Sequence, residues 1–308
     1  MTNKTTSVAG SGIGLGIALL TTAYVLWGAM GTAAQYLFKL NAGFEPTGLV
    51  SLRQLAAGAV FVLFAGLFQP KAVFGVWRDW RIVLGMMLSG VFLCGAHMTF
   101  FAAIQVSNAG TGAILLTTVP LFVCLWYALT KHRPIAPREL LCMGLAAAGV
   151  LLIISDGNLS QFRFSPAAVF WGLASAVISG AYSIQSADLI KKAGVLPVVA
   201  WSMVFGGIFA SIFTPPFSAD ITWSLPAAAA FAFIVLFGTV LAFWAFLTGL
   251  KRVSPVTANL LNCVDPLAAY FFSFLLLADR PGIWQAVGIV CVLADVVILS
   301  LGGAKESE

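Results

Sequence analysis

Between Arg81 and Lys131 the chain runs for 49 residues without one Asp, Glu, Lys or Arg. A helix that crosses a bilayer needs roughly 20 mostly apolar residues, since each adds about 1.5 Å and the hydrocarbon layer is about 30 Å thick. The segment is too long for one crossing and right for two, with Gln105-Val106-Ser107-Asn108 as the polar turn of a hairpin. The rest of the chain agrees. Of its 308 residues 60% are hydrophobic and 9% are charged, whereas roughly a quarter of an ordinary globular chain is charged. An ordinary soluble protein is excluded.

Charge gaps of this kind predict ten spans, at 13–38, 46–68, 82–104, 109–130, 138–155, 165–189, 195–214, 224–249, 255–278 and 282–301. The connections are short, the longest being the stretch from Gln69 to Trp80, so no soluble catalytic or binding domain is expected between them. Function is expected within the helices. The first span is read as a retained helix rather than a cleaved signal.

Basic residues close to spans stay in the cytoplasm, and here they divide unevenly. Lys4, Lys71, Arg78, Arg81, Lys131, Arg133, Arg138, Lys191, Lys192, Lys251, Arg252 and Lys305 share one side; Lys39, Arg163 and Arg280 lie on the other. Both termini are therefore expected in the cytoplasm, which an even number of spans also requires. The 16 Lys and Arg form no dense patch, so nucleic acid is not an expected partner. Cys94, Cys124, Cys142, Cys263 and Cys291 fall in apolar stretches without C-x-x-C spacing and are read as buried thiols.

Sliding the sequence by 146 residues lays Cys94–Thr130 on Val240–Leu276. Pro120 then meets Pro266, Leu115 meets Leu261, Phe100 meets Phe246, and Ser107-Asn108 meets Val253-Ser254. The expected units are 1–155 and 156–308, five spans each. Because five is odd, the second unit enters the membrane from the opposite side, an arrangement common in secondary transporters.

In order and spacing, Leu26-Trp27-Gly28 in the first span, Arg53 early in the second, Asn108-Ala109-Gly110 with Pro120 in the fourth, and Ser254-Pro255 with Pro266 in the ninth resemble the drug/metabolite transporter superfamily, specifically its EamA-type ten-helix carriers. The resemblance implies an all-α integral membrane fold of two inverted five-helix repeats in the bacterial inner membrane. It also implies a carrier of small organic solutes, commonly outward. Exporters of amino acids, including aromatic ones, are closest in character; multidrug, vitamin or nucleoside carriers of the same fold are the alternative.

Ionisable groups at membrane depth are costly and mark interior or wet positions. Arg53, His97, Asp265 and Asp295 stand out on that ground. Asn259, Asn262 and Asp265 recur every three residues just before Pro266, so they share a helix face that either lines a cavity or hydrogen-bonds a neighbouring helix. His97, followed by Phe100 and Phe101, is read either as a contact for a substrate carboxylate or as an interhelical donor. Arg53 lies about seven residues into its span, where it either serves substrate or gating or snorkels to the interface. Asp295 is read as a packing residue.

Aromatics at helical spacing, Tyr24 with Trp27, Trp171 with Tyr182 and Phe243 with Trp244, join Thr117, Thr118 and Ser179 at mid-span. The expected substrate-binding set is Trp27, His97, Phe100, Thr117, Ser179, Tyr182, Phe243, Asn262 and Asp265. Arg53, Pro120 and Pro266 are the expected gating or hinge positions. Such a cavity suits neutral or zwitterionic solutes; a phosphorylated one would require several buried cations. No cofactor, metal or catalytic set is expected, since the chain lacks H-E-x-x-H and G-x-G-x-x-G spacing. A channel's rings of charge are absent as well. Proton coupling through Asp265 or His97 stands open beside facilitated diffusion.

Overall fold

The computed structural model describes residues 5–132, 135–155, 166–216, 221–253, 257–258, 261–280 and 282–303. Among these residues there is no strand, and the helices are α1 Thr5–Lys39, α2 Pro46–Phe68, α3 Pro70–Gly75, α4 Trp80–Gln105, α5 Ala109–Leu116, α6 Val119–Lys131, α7 Pro137–Ser155, α8 Pro166–Ala193, α9 Val195–Phe213, α10 Leu225–Val235, α11 Ala242–Leu250, α12 Val264–Leu277 and α13 Ile283–Gly303. A π-helical segment, Leu236–Leu241, joins α10 to α11. Among the described residues seven stretches are long and apolar enough to cross a membrane: Gly12–Lys39, Pro46–Phe68, Trp80–Gln105, Ala109–Lys131, Pro166–Ala193, Val195–Phe213 and Leu225–Leu250. Val264–Leu277 and Ile283–Ala294 are shorter apolar helices. The connection at Gln69 to Trp80 is not plain loop, because it holds α3 and a 3₁₀ turn at Val76–Arg78.

Local chemistry sets several helix starts. The Asn108 side chain accepts from Thr111 N at 2.8 Å and the Asp79 side chain from Arg81 N at 2.9 Å, which satisfies backbone donors that have no partner inside the helix. Pro46, Pro70, Pro120 and Pro226 sit in first turns, where a missing N–H costs nothing.

Lipid tails are as apolar as leucine, so helices in a membrane associate through close backbone approach and hydrogen bonds. Both are present. A Cβ on Gly90 would lie 2.8 Å from Gly206 N, and one on Gly149 would lie 2.7 Å from the Gly288 carbonyl oxygen, which locks α4 to α9 and α7 to α13. Ser51 bonds Ser211 at 2.8 Å, Thr47 bonds Thr214 at 2.6 Å, and Ser175 donates to the Ala96 carbonyl at 2.8 Å.

In the bundle, α1 packs against α5, α10, α11 and α12, while α4 lies against α8 and α9 and α2 lies against α9. Three apolar stretches are interrupted. Ala109–Lys131 turns at Thr117-Thr118, Leu225–Leu250 loosens into the π segment, and the chain before α12 turns at Asn262-Cys263. Thr239 Oγ1 in the π segment donates to the Ile234 carbonyl five residues back, at 2.8 Å.

Candidate solute site

The aromatic residues converge where α1, α2 and α11 meet. Trp27 lies edge-on to Phe243 at 5.3 Å between centroids and 5.0 Å from Phe246, and Tyr24 meets Trp27 at 5.6 Å. Phe61 of α2 closes on Phe243 at 6.3 Å, and Tyr182 of α8 packs on the same cluster. Edge-to-face pairs at these distances are each worth about 0.5–1.5 kcal/mol beyond burial. Trp27, Phe243 and Tyr182 each keep part of their surface exposed. Trp244, next to Phe243, is 48% exposed.

One helical turn away lies a charged layer. Arg53 is 1% exposed, so it does not snorkel to an interface. Its Nη1 donates to Met30 Sδ at 3.3 Å and to Thr239 Oγ1 at 3.4 Å, and its guanidinium carbon stands 5.2 Å from the centre of the Phe101 ring. Nε and Nη2 have no hydrogen-bond partner among the described residues. The neighbouring Gln54 shares a hydrogen bond of 2.8 Å between its side-chain amide and His97 Nδ1. Gln54 Oε1 is buried without a partner among the described residues. His97 and Arg53 thus share one layer through adjacent residues of α2.

Other expected site residues lie elsewhere. Phe100 is buried in the core that α1, α4 and α5 form. The Thr117 hydroxyl donates to the Ile114 carbonyl at 2.7 Å, and Thr118 does the same to Leu115, so both close the end of α5. Pro120 follows in the first turn of α6. Ser179 is partly exposed on α8, and its carbonyl accepts from Ser183 Oγ at 2.9 Å. Asn262 falls in a turn and not on the helix that carries Asp265; Asp265 N donates to the Asn262 carbonyl at 3.2 Å.

Asp265 and the buried Pro266 open α12 against α1, where a Cβ on Gly28 would lie 2.6 Å from the Asp265 carbonyl oxygen. Leu261 and Val264, beside Asp265, pack with Tyr24, Trp27 and Phe246, so α12 begins next to the aromatic cluster. Asn259, Ser254 and Pro255 lie outside the described residues, as does the Asp295 side chain.

The sequence reading missed Gln54, Thr239, Met30 and Phe61, which complete the two layers. Gln54 was legible as an amide deep in an apolar span beside Arg53, but a search for ionisable groups passes over amides. Gln35 escaped in the same way. It is 2% exposed; its Oε1 accepts from Ala109 N at 2.8 Å and from Ser273 Oγ at 3.3 Å, and its Nε2 donates to Asp279 Oδ2.

The EamA-like transporter family matches this chain twice, over residues 14–155 and 166–301. The chain belongs to that family. It is 30% identical over 287 residues to the inner membrane transporter YicL of Salmonella typhimurium, covering 93% of this chain and 95% of the relative. It is 28% identical to protein PecM of Dickeya dadantii, over 83% of each chain, and 27% identical to the inner membrane transporter YedA of Escherichia coli K12, over 91% of this chain and 88% of the relative. A solved crystal structure superposes with a TM-score of 0.64 at 17% identity, covering 95% of this chain and 99% of the other. The protein is a multi-pass membrane transporter of the EamA-like family.

Proposed function

We propose that the protein is a secondary carrier that exports small amphipathic metabolites, with neutral and aromatic amino acids as the favoured class. It works by alternating access between two inverted five-helix units, residues 1–155 and 156–308, with ten spans and both termini in the cytoplasm of a bacterial cell. The observation that carries this reading is the pairing of a partly exposed aromatic cluster, Trp27 with Phe243 and Tyr182, with a layer one turn away that holds a buried Arg53 and a partly buried His97. A solute with an apolar body and a polar head matches that pairing, and a polyanion does not.

Two features support the architecture. The family profile matches two successive stretches of similar length. Helices also break shortly before each of the paired prolines, at Thr117-Thr118 before Pro120 and at Asn262-Cys263 before Pro266. Breaks let half-helices move against each other while carbonyls freed at the turn meet polar groups inside the protein.

The test is flux. Purified protein in liposomes is expected to move radiolabelled L-phenylalanine or L-leucine with saturation, and competition among amino acids, flavins, nucleosides and cationic drugs ranks the classes. Saturable flux of drugs or nucleosides with no amino acid competing would overturn the substrate class. Flux linear in concentration would overturn the carrier.

A further inference from the structure

We propose that Arg53 is the carboxylate-binding residue of the solute site, and that a single carboxylate is the feature by which the carrier selects its substrate; this rests on the carrier reading above and narrows it. The guanidinium offers two faces. Nη1 is turned toward Met30 Sδ and Thr239 Oγ1, both neutral. The unpartnered pair is Nε and Nη2, whose N–H bonds run side by side and match the two oxygens of one carboxylate. Arg53 is 1% exposed and has no ion-pair partner among the described residues. Burying one member of an ion pair without the other costs several kcal/mol, a cost that a carboxylate at the unpartnered Nε and Nη2 would offset.

Position makes the site selective. Met30 is three residues from Trp27 on α1, and Thr239 is four residues from Phe243 across the π segment and α11, so the groups that hold Nη1 lie about one turn, or roughly 5 Å of helix rise, from Trp27 and Phe243. That is the reach from the carboxylate of an arylalkyl acid to its ring. Thr239 belongs to the π segment, whose Gly238 admits Met30 so closely that a Cβ there would lie 2.6 Å from Met30 Cβ. Opening of this joint is the route by which a solute reaches the fork. One fixed cation accepts one carboxylate and leaves a second unbalanced, so dicarboxylates and phosphates are excluded by charge.

The experiment compares four probes that share a phenyl ring: L-phenylalanine, phenylacetate, L-phenylalaninamide and phenethylamine. Binding is read as ligand-induced thermal stabilisation of the purified full-length protein, and flux in proteoliposomes. In the wild type the two acids are expected to bind about 10- to 100-fold more tightly than the amide and the amine. In Arg53→Met that ratio falls to near one, through loss of acid affinity and not gain of amine affinity, while Arg53→Lys retains part of it.

A folded Arg53→Met variant that keeps the wild-type preference overturns the proposal. So does a wild type that prefers phenethylamine, a result that needs no variant to fold. Arg53-dependent movement of phenylacetate without phenylalanine would leave this inference standing and remove the amino-acid reading. Movement of phenylalanine with an unchanged ratio in Arg53→Met would do the reverse. A wild type that neither binds nor moves any of the four contradicts both.

Discussion

Two polar layers are buried in this bundle, and they are finished differently. Near the end of α1, Gln35 ties α1 to the start of α5, to Ser273 of α12 and to Asp279 beyond it, and Lys39 adds an ion pair to Asp279 at 3.2 Å. Thr32 closes the group by bonding Ser273 and the Ala269 carbonyl, both at 3.3 Å. None of the side-chain atoms left buried without a partner belongs to this layer. Around Arg53, by contrast, three buried polar atoms, Nε and Nη2 of Arg53 and Oε1 of Gln54, have none among the described residues. A saturated network at low dielectric is rigid, because any movement strands a donor or acceptor. An unsaturated one is a place where a ligand gains what the protein leaves unmade. The Gln35 layer therefore holds α1, α5 and α12 as one block, and the Arg53 layer is the one we propose receives the solute.

Four substitutions break or sharpen this contrast. The largest effect is expected from Arg53→Met, which should cut flux of a monocarboxylate about 10- to 100-fold and yet leave the protein as stable, or more stable by about 1–4 kcal/mol, since an unpaired buried charge is replaced by an apolar side chain. Flux assays beside thermal melts in detergent report both signs. Gln35→Leu should do the opposite. It strands Ala109 N and removes one bond from Asp279, lowers stability by about 2–4 kcal/mol, and leaves substrate selectivity as it was, which unfolding curves and the ratio of competing solutes would show.

Third, Gly238→Ala forces a methyl against Met30 and should cost about 1–3 kcal/mol by overpacking, with slower turnover at unchanged binding if the π segment is the joint. Smallest is Lys39→Ala. Lys39 is 49% exposed in its pair with Asp279, so solvent screening limits the loss to below about 1 kcal/mol, read as a small shift in melting temperature that salt further reduces.

Much of the fold was written in the charge spacing. Gaps between Lys, Arg, Asp and Glu located the apolar helices, because a charge at membrane depth is costly wherever the chain goes. Where helices bend was less legible. Pro120 and Pro266 drew attention as kinks, but the breaks precede them, at Thr117-Thr118 and Asn262-Cys263. The proline starts the next helical piece, where its missing N–H is harmless.

Nothing in Leu236–Leu241 announces a π turn except Gly238 and Thr239, whose meaning depends on Met30 coming from another helix. For the site, aromatic spacing marked Trp27, Tyr182 and Phe243, but periodicity assigns a residue only to a face of its own helix and leaves open which faces meet. Arg53 shows this most plainly. Its place near the start of α2 fits snorkelling as well as burial, and only Met30, Phe101 and Thr239 from three other elements decide between them.

The most direct test of the contrast asks which layer meets water during the transport cycle. In a cysteine-free background, Thr239→Cys in the Arg53 layer and Ser273→Cys in the Gln35 layer can be challenged with a charged, membrane-impermeant thiol reagent in proteoliposomes under turnover. The expected result is modification at position 239, slowed by L-phenylalanine, and none at position 273 over the same interval. Modification at 273 with protection throughout at 239 would mean that the solute path runs past the Gln35 layer instead, and would contradict the account.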